Sequence, residues 1–220
     1  DVLGAGTESG LSRTFREAFA VNVAVNSQAN LQVKANGLVE HLGSKTECAL
    51  LQLIESWGYS YAAVRVAAPP TRIWLFDSTR KRMSSTSAVP GRPGVQRLHT
   101  KGAPEMLAPL LSYQMGLDGR VAPFTAADRA ALVLNVDRLA ERGLRTLLLA
   151  YRDVDVPLDD KVFWDTAPET NMTLLGVVGI KDPIRPETLE AVRLLKGAGV
   201  NVRMVTGDNV LTASFIAREA

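Results

Sequence analysis

Between residues 63 and 101 the chain breaks into four short runs rich in β-forming residues, and no other interval restricts its folding as much. Runs 63–68, 72–76, 82–89 and 95–101 are separated by Pro69-Pro70, by Asp77-Ser78-Thr79-Arg80 and by Pro90-Gly91-Arg92-Pro93-Gly94. Each separator is a turn signal with a mechanism, because Pro presets φ, Gly supplies positive φ and Asp or Ser closes local hydrogen bonds. Short runs with connections this tight predict antiparallel strands.

Helical periodicity surrounds this middle. Leu11, Phe15, Ala18, Phe19 and Val25 recur at spacings near four, which predicts a helix to about Asn26 followed by a polar loop. Ser44-Lys45-Thr46-Glu47 matches a capping box, and Leu50, Leu51, Ile54 and Trp57 continue the helix until Gly58 stops it. Pro104 opens another, with Met106, Leu107, Leu110 and Leu111 inward, ended by a loop over 116–123. Thr125 caps a further helix carrying Leu132, Val136 and Leu139 and closed by Gly143, and two apolar strands, 146–151 and 173–180, flank an acidic loop.

After Asp182 the pattern alternates. A helix over 186–197 with Leu189, Val192 and Leu195 inward, a buried strand over 200–205 and a helix over 209–220 are the parts of a parallel α/β sheet. One such unit cannot close its own core. The expected architecture is therefore an α+β domain over 1–181, an antiparallel β-sheet flanked by helices, followed by an α/β fragment over 182–220. Apolar faces left open on that fragment favour disorder or intermolecular packing, and protease sensitivity near Arg185 would mark it.

Charge and cysteine usage exclude several functions. Twenty-five basic and 23 acidic residues are scattered along the 220, giving a net charge of +2 without the basic stripe of a nucleic-acid binder. Cys48 is the only cysteine, so an intrachain disulfide and a Cys-rich metal site are both impossible. The longest apolar runs fall well short of the roughly 20 residues that cross a bilayer as a helix, and a soluble piece is expected. His41 and His99 stand apart from any nucleophile or metal-ligand spacing.

Four places could carry chemistry. In Val205-Thr206-Gly207-Asp208-Asn209 an apolar run feeds a turn that presents a hydroxyl, backbone N–H groups and a carboxylate at a helix start, as phosphate sites do. The plainer reading makes Asp208 or Asn209 an N-cap. Lys101-Gly102-Ala103-Pro104 sets an ammonium beside a helix start, suited to a nucleotide phosphate or base, although a lysine at a strand end is ordinarily solvated. Phe76 precedes Thr79-Arg80-Lys81-Arg82, a ring among cations that could stack on a purine. Simple alternation instead puts Phe76 beside Trp74 on one core face. Glu47 is either the return arm of its capping box or a receiver of a ligand amino group, and Arg145 pairs either with phosphate or with an acidic neighbour.

Taken in order, these segments resemble the P-type cation-transporting ATPases, specifically calcium pumps of plasma-membrane type. The resemblance rests on Lys45-Thr46-Glu47-Cys48-Ala49-Leu50-Leu51, Phe76 through Met83, Lys101-Gly102-Ala103-Pro104-Glu105, Gly143-Leu144-Arg145-Thr146, Val177 through Pro186, and Val202 through Asn209. It implies a nucleotide-binding domain over 1–181, then a hinge and part of a haloacid-dehalogenase-like phosphorylation domain over 182–220. By the same resemblance Phe76 stacks on adenine; Glu47, Lys81 and Lys101 line the base and ribose pocket, with Thr46 and Gly102 also among the nucleotide-binding residues; Arg145 approaches the phosphates; and Arg185, counted with the nucleotide-binding residues, lies in the hinge. Thr206, Gly207 and Asp208 face the transferred phosphoryl group. ATP or ADP is the implied ligand, with Mg2+ in the full-length protein.

The resemblance also implies partners that this sequence does not contain: the rest of the phosphorylation domain, an actuator domain and transmembrane helices, with the chain on the cytosolic face of a plasma or calcium-store membrane. No Asp-Lys-Thr-Gly-Thr segment with a phosphorylated aspartate occurs in these 220 residues, so the chain alone is expected to bind ATP weakly and turn nothing over. Ser78 stands where reticulum-type relatives have an arginine, which removes one phosphate contact. A pump for another cation and a non-catalytic interaction module that has lost the nucleotide are the competing readings.

Overall fold

Ser12 starts the first helix by accepting the Phe15 N–H at 3.2 Å, and the apolar stripe behind it becomes the first core. The computed structural model describes residues 2–3, 10–34, 36–156 and 159–219. In order they form β1 (Val2–Leu3), α1 (Arg13–Val25), β2 (Asn30–Val33), β3 (Val39–Leu42), α2 (Lys45–Ser56), α3 (Tyr61–Ala67), β4 (Pro70–Asp77), β5 (Arg82–Ala88) and β6 (Gln96–Gly102). Then follow α4 (Pro104–Leu107), a 3-10 turn (Ala108–Leu110), β7 (Leu111–Met115), β8 (Val121–Pro123), α5 (Ala126–Ala140), β9 (Leu144–Val154), β10 (Met172–Lys181), α6 (Pro186–Gly197) and α7 (Val210–Glu219).

The main sheet runs β4-β5-β6-β9-β10-β7-β8, with β1 also paired to β10. Every pair in it is antiparallel except β10 with β7. Because Met83, Lys101 and Leu149 stand opposite one another across β5, β6 and β9, they share a face. That front face meets α1 and α2 through Leu149, Tyr151, Phe15, Phe19, Leu50, Leu51 and Ile54. The back face carries Leu98, Leu148 and Ala150 against Leu132 of α5 and Trp164 of the β9–β10 loop. The antiparallel sheet flanked by helices is thus formed as the sequence pattern predicts.

Several local expectations give way to tertiary context. Residues 63–67 belong to helix α3 rather than a strand, with Ala68 as its C-cap: Ser60 caps its start at the Ala63 N–H, 3.3 Å, and alanines dilute its two valines. The helix begun by Pro104 stops after one turn because Pro109 has no N–H to extend it, and Leu111 starts β7 instead. The loop after α1 contains the β2–β3 hairpin.

Beyond Asp182 the two helices form, but 200–205 is not a strand. A strand needs a ladder partner, and none of the described strands runs beside it. Val200, Val202, Met204 and Val205 are exposed, as are Leu189 and Leu195, which were expected to face inward. Contact with the sheet is made by α7. Thr212 Oγ1 donates to the buried Leu144 carbonyl at 3.0 Å, and the Phe215 ring lies where a Cβ on Gly143 would clash.

Candidate functional site

One cleft of about 900 Å³ opens on the front face, lined by the α2 start, the β4–β5 turn, the β6 end, the β9 start and residues 207–212. It gathers Thr46, Glu47, Phe76, Lys81, Lys101, Gly102, Arg145, Gly207 and Asp208. Two of the expected residues do not line it. Thr206 is exposed, its Oγ1 accepting the Asp208 N–H at 3.1 Å, and exposed Arg185 precedes α6.

A β-bulge decides where Phe76 points. Trp74 pairs with Ser84 and Asp77 with Arg82, so Leu75 and Phe76 together stand opposite the single residue Met83. The extra residue breaks the alternation that would have held Phe76 beside Trp74. Trp74 stays on the back face against Trp164, ring centroids 6.2 Å apart, while Leu75, Phe76 and Met83 all line the cleft. Phe76 is 64% exposed, which is costly for a phenylalanine with no other partner and leaves the ring open to a stacking ligand.

The turn after the bulge is held locally. Asp77 Oδ1 accepts the N–H groups of Thr79 and Arg80, each at 2.9 Å, and the Arg80 contact foremost holds this carboxyl below the usual aspartate range. Lys81 takes the left-handed conformation, φ 50°, uncommon for a side chain of its size. Its N–H meets the Asp77 carbonyl at 2.6 Å and its carbonyl accepts the Ala103 N–H at 3.0 Å. That second bond ties the turn to the Lys101-Gly102-Ala103 strand end.

Glu47 and Lys101 form the buried floor. Lys101 Nζ donates to Glu47 Oε1 at 2.6 Å and to the Asn26 carbonyl. Glu47 Oε2 accepts the N–H groups of Gln28 and Ala29, both at 3.1 Å. The capping box is therefore not made: Ser44 has no side-chain cap bond, and the Glu47 carboxylate reaches the α1–β2 connection instead. Arg65 of α3 stiffens that connection by donating to the carbonyls of Ala24, Ser27 and Ala29 at 2.7 to 2.9 Å. Burial lowers the Lys101 ammonium from its ordinary value, and Glu47 partly offsets it.

Each carboxylate of the cleft is committed to a cation. Glu47 holds Lys101, Glu105 holds Lys81 at 3.5 Å, and Asp208 holds Arg145 at 2.7 Å. Among the described residues no group of three or more potential metal ligands comes together. Sequence reasoning had not marked Asn26, Gln28, Ala29, Arg65, Leu75 or Met83. The folded connection after α1 brings Gln28 and Ala29 to the cleft, with Asn26 and Arg65 supporting it from behind, the bulge brings Leu75, and the β5–β6 register brings Met83; none of these leaves a motif.

Comparison with known proteins identifies the family. Residues 14–187 match the family model for P-type ATPase, cytoplasmic domain N. Plasma membrane calcium-transporting ATPase 4 of Bos taurus is 40% identical over 204 residues, covering 90% of this chain and 16% of the relative. Calcium-transporting ATPase PAT1 of Dictyostelium discoideum is 41% identical over 196 residues, covering 89% and 17%. Calcium-transporting ATPase 2, plasma membrane-type, of Arabidopsis thaliana is 35% identical over 216 residues, covering 98% and 21%. The chain thus spans between 16% and 21% of the length of these relatives. With the family model running through the main sheet and the α2, β4–β5, β6 and β9 walls of the cleft, this chain belongs to the P-type ATPases, in the part that forms their cytoplasmic domain N.

Proposed function

We propose that the cleft binds the nucleotide of a P-type calcium-transporting ATPase and that residues 1–181 are its nucleotide-binding domain, with 182–220 supplying the hinge and part of the phosphorylation domain. The observation that carries this reading is the joint lining of one cleft by the exposed Phe76 ring and by Lys81, Lys101 and Arg145. A purine needs a flat apolar surface and a few polar anchors, and phosphates need cations; the residues present fit both. Phe76, Leu75 and Met83 would hold the base, Glu47 and Lys101 its polar edge, and Lys81 and Arg145 the phosphates.

The residues do not make a magnesium site of their own, because every carboxylate in the cleft is already paired. Mg2+ is left to the nucleotide and to the rest of the parent protein. In that parent the domain would deliver the γ-phosphate to an aspartate, with positioning and charge neutralisation doing most of the catalysis. The chain alone binds without turnover. No helix among the described residues is long and apolar enough to cross a membrane, and the proposed place of this piece is the cytosolic face of a membrane-embedded pump. What supports calcium as the ion is the named activity of the relatives.

Titrating ADP into the 220-residue chain and following backbone amide shifts by NMR tests the binding. Shifts at Phe76, Glu47, Lys101 and Arg145 are expected; a titration that leaves these four unmoved would end the proposal.

A further inference from the structure

We propose that Glu169 is a positioning residue for this cleft, acting from the opposite face of the sheet; the inference rests on the nucleotide reading above. Glu169 sits in the β9–β10 loop and is only 5% exposed. Its Oε1 accepts Ser84 Oγ at 2.6 Å and Arg80 Nη1 at 3.2 Å, and its Oε2 accepts Arg82 Nε. Ser84 pairs with Trp74 and so lies on the back face, away from the cleft. One buried carboxylate therefore grips three residues of the β4–β5 hairpin from behind.

The grip is aimed at the bulge. Arg80, held by Glu169, donates through Nη2 to the Leu75 carbonyl at 3.3 Å, and Arg82 donates through Nη1 to the Arg80 carbonyl at 3.3 Å. Leu75 is one of the two residues standing opposite Met83, the other being Phe76. A continuous chain of bonds thus runs from Glu169 through Arg80 to the backbone that turns Phe76 toward the front. Glu169 is itself anchored on both sides, because Arg152 of β9 donates to the Pro168 carbonyl at 3.1 Å and to Thr170 Oγ1 at 2.7 Å.

A purely structural ion pair would not need this geometry. β4 is an edge strand, with β5 as its only partner among the described residues, so its bulge has no second described strand to fix it. Glu169 supplies that missing constraint. Preorganising a stacking ring removes an ordering cost that binding would otherwise carry. Without Glu169 the Phe76 ring samples several directions and nucleotide affinity falls while the fold persists.

Glu169→Gln and Arg80→Gln, each alone and each combined with Phe76→Ala, test this in the 220-residue chain by NMR titration with ADP well below the melting temperatures. Both single variants should weaken ADP by about three- to tenfold, less than loss of the ring itself. In the Phe76→Ala background neither should weaken it further, a coupling that general destabilisation would not produce. Unchanged ADP affinity in the single variants, or an equal loss with and without Phe76, would overturn the inference. Arg80 lies on the turn rather than in the core, so Arg80→Gln decides the question if Glu169→Gln fails to fold. If the unaltered chain takes up no ADP, the nucleotide reading falls and this inference with it; if it binds and the variants bind alike, only the positioning role falls.

Discussion

Arg145 and Asp208 form an ion pair at 2.7 Å, with Arg145 Nε donating to the same carboxylate oxygen at 2.8 Å. The guanidinium assigned to nucleotide phosphate is therefore occupied by a carboxylate. With the Arg145 side chain about half-exposed, the pair contributes little to stability. A phosphate must nonetheless compete with Asp208 for Arg145. Asp208→Asn should tighten ADP binding by about threefold, since it removes the competitor and a like charge. Arg145→Gln should weaken it by about tenfold or more through loss of a charge-assisted contact. Calorimetry on the two variants checks the pair, and weaker binding by Asp208→Asn would contradict it.

Removing the Phe76 ring should separate binding from folding. Phe76→Ala is expected to cost about 1–3 kcal/mol of ADP affinity, the range of base–aromatic stacking. Because the side chain is mostly exposed, unfolding free energy should move by no more than about 0.5 kcal/mol. Phe76→Tyr should retain affinity. Urea unfolding beside the titration reads both quantities, and a large loss of stability would mean that the ring packs in the core.

His99 predicts an acid sensitivity. The ring is fully buried, its Nε2 bonded to Ser87 Oγ at 3.0 Å, and burial, aided by the charge of Arg97, pushes its pKa down to about 3. Between pH 6.5 and 3 the unfolded chain binds a proton here that the folded one does not. Stability is therefore lost as pH falls through that window, by roughly 3 kcal/mol at pH 4. His99→Gln should lower stability at pH 7 yet flatten this part of the pH profile. An equally steep profile in the variant would assign the effect to other groups.

Gly102 should tolerate no side chain. A Cβ there would lie 2.6 Å from the Lys81 carbonyl oxygen and 2.9 Å from Arg82 Cα, both backbone atoms. Gly102→Ala must therefore push the β4–β5 turn away from β6. A loss of about 1–3 kcal/mol in stability is expected from the overpacking, together with weaker ADP binding because Lys81 and Phe76 flank that turn. Equal stability and affinity in the variant would refute the close approach.

Much of this was legible along the chain, and the reasons for the remainder are specific. Thr125 and Asp128 make the reciprocal cap that their spacing announces, whereas Ser44 and Glu47, with the same signature, do not, because Lys101 and two N–H groups from a distant connection compete for the carboxylate. Local motifs report local bonds until a buried partner outbids them. Nine of the expected site residues meet in one cleft. The direction of Phe76 was beyond pattern reading, since a bulge leaves no residue signature here and period-two alternation is blind to one extra residue. Likewise the apolar run 200–205 is a strand by composition and is not one in this chain, because pairing is a property of neighbours.

The bulge in β4 makes the site depend on length as well as on chemistry. Between Trp74 and Asp77 the chain holds two residues where a regular strand would hold one. Deleting either would restore the simple frame and leave no second residue opposite Met83, even if a phenylalanine were kept at the position that remains. Substitutions at Leu75 should then be milder than any deletion beside it. In this stretch the number of residues, as well as their kind, sets how many side chains the edge strand offers to the cleft.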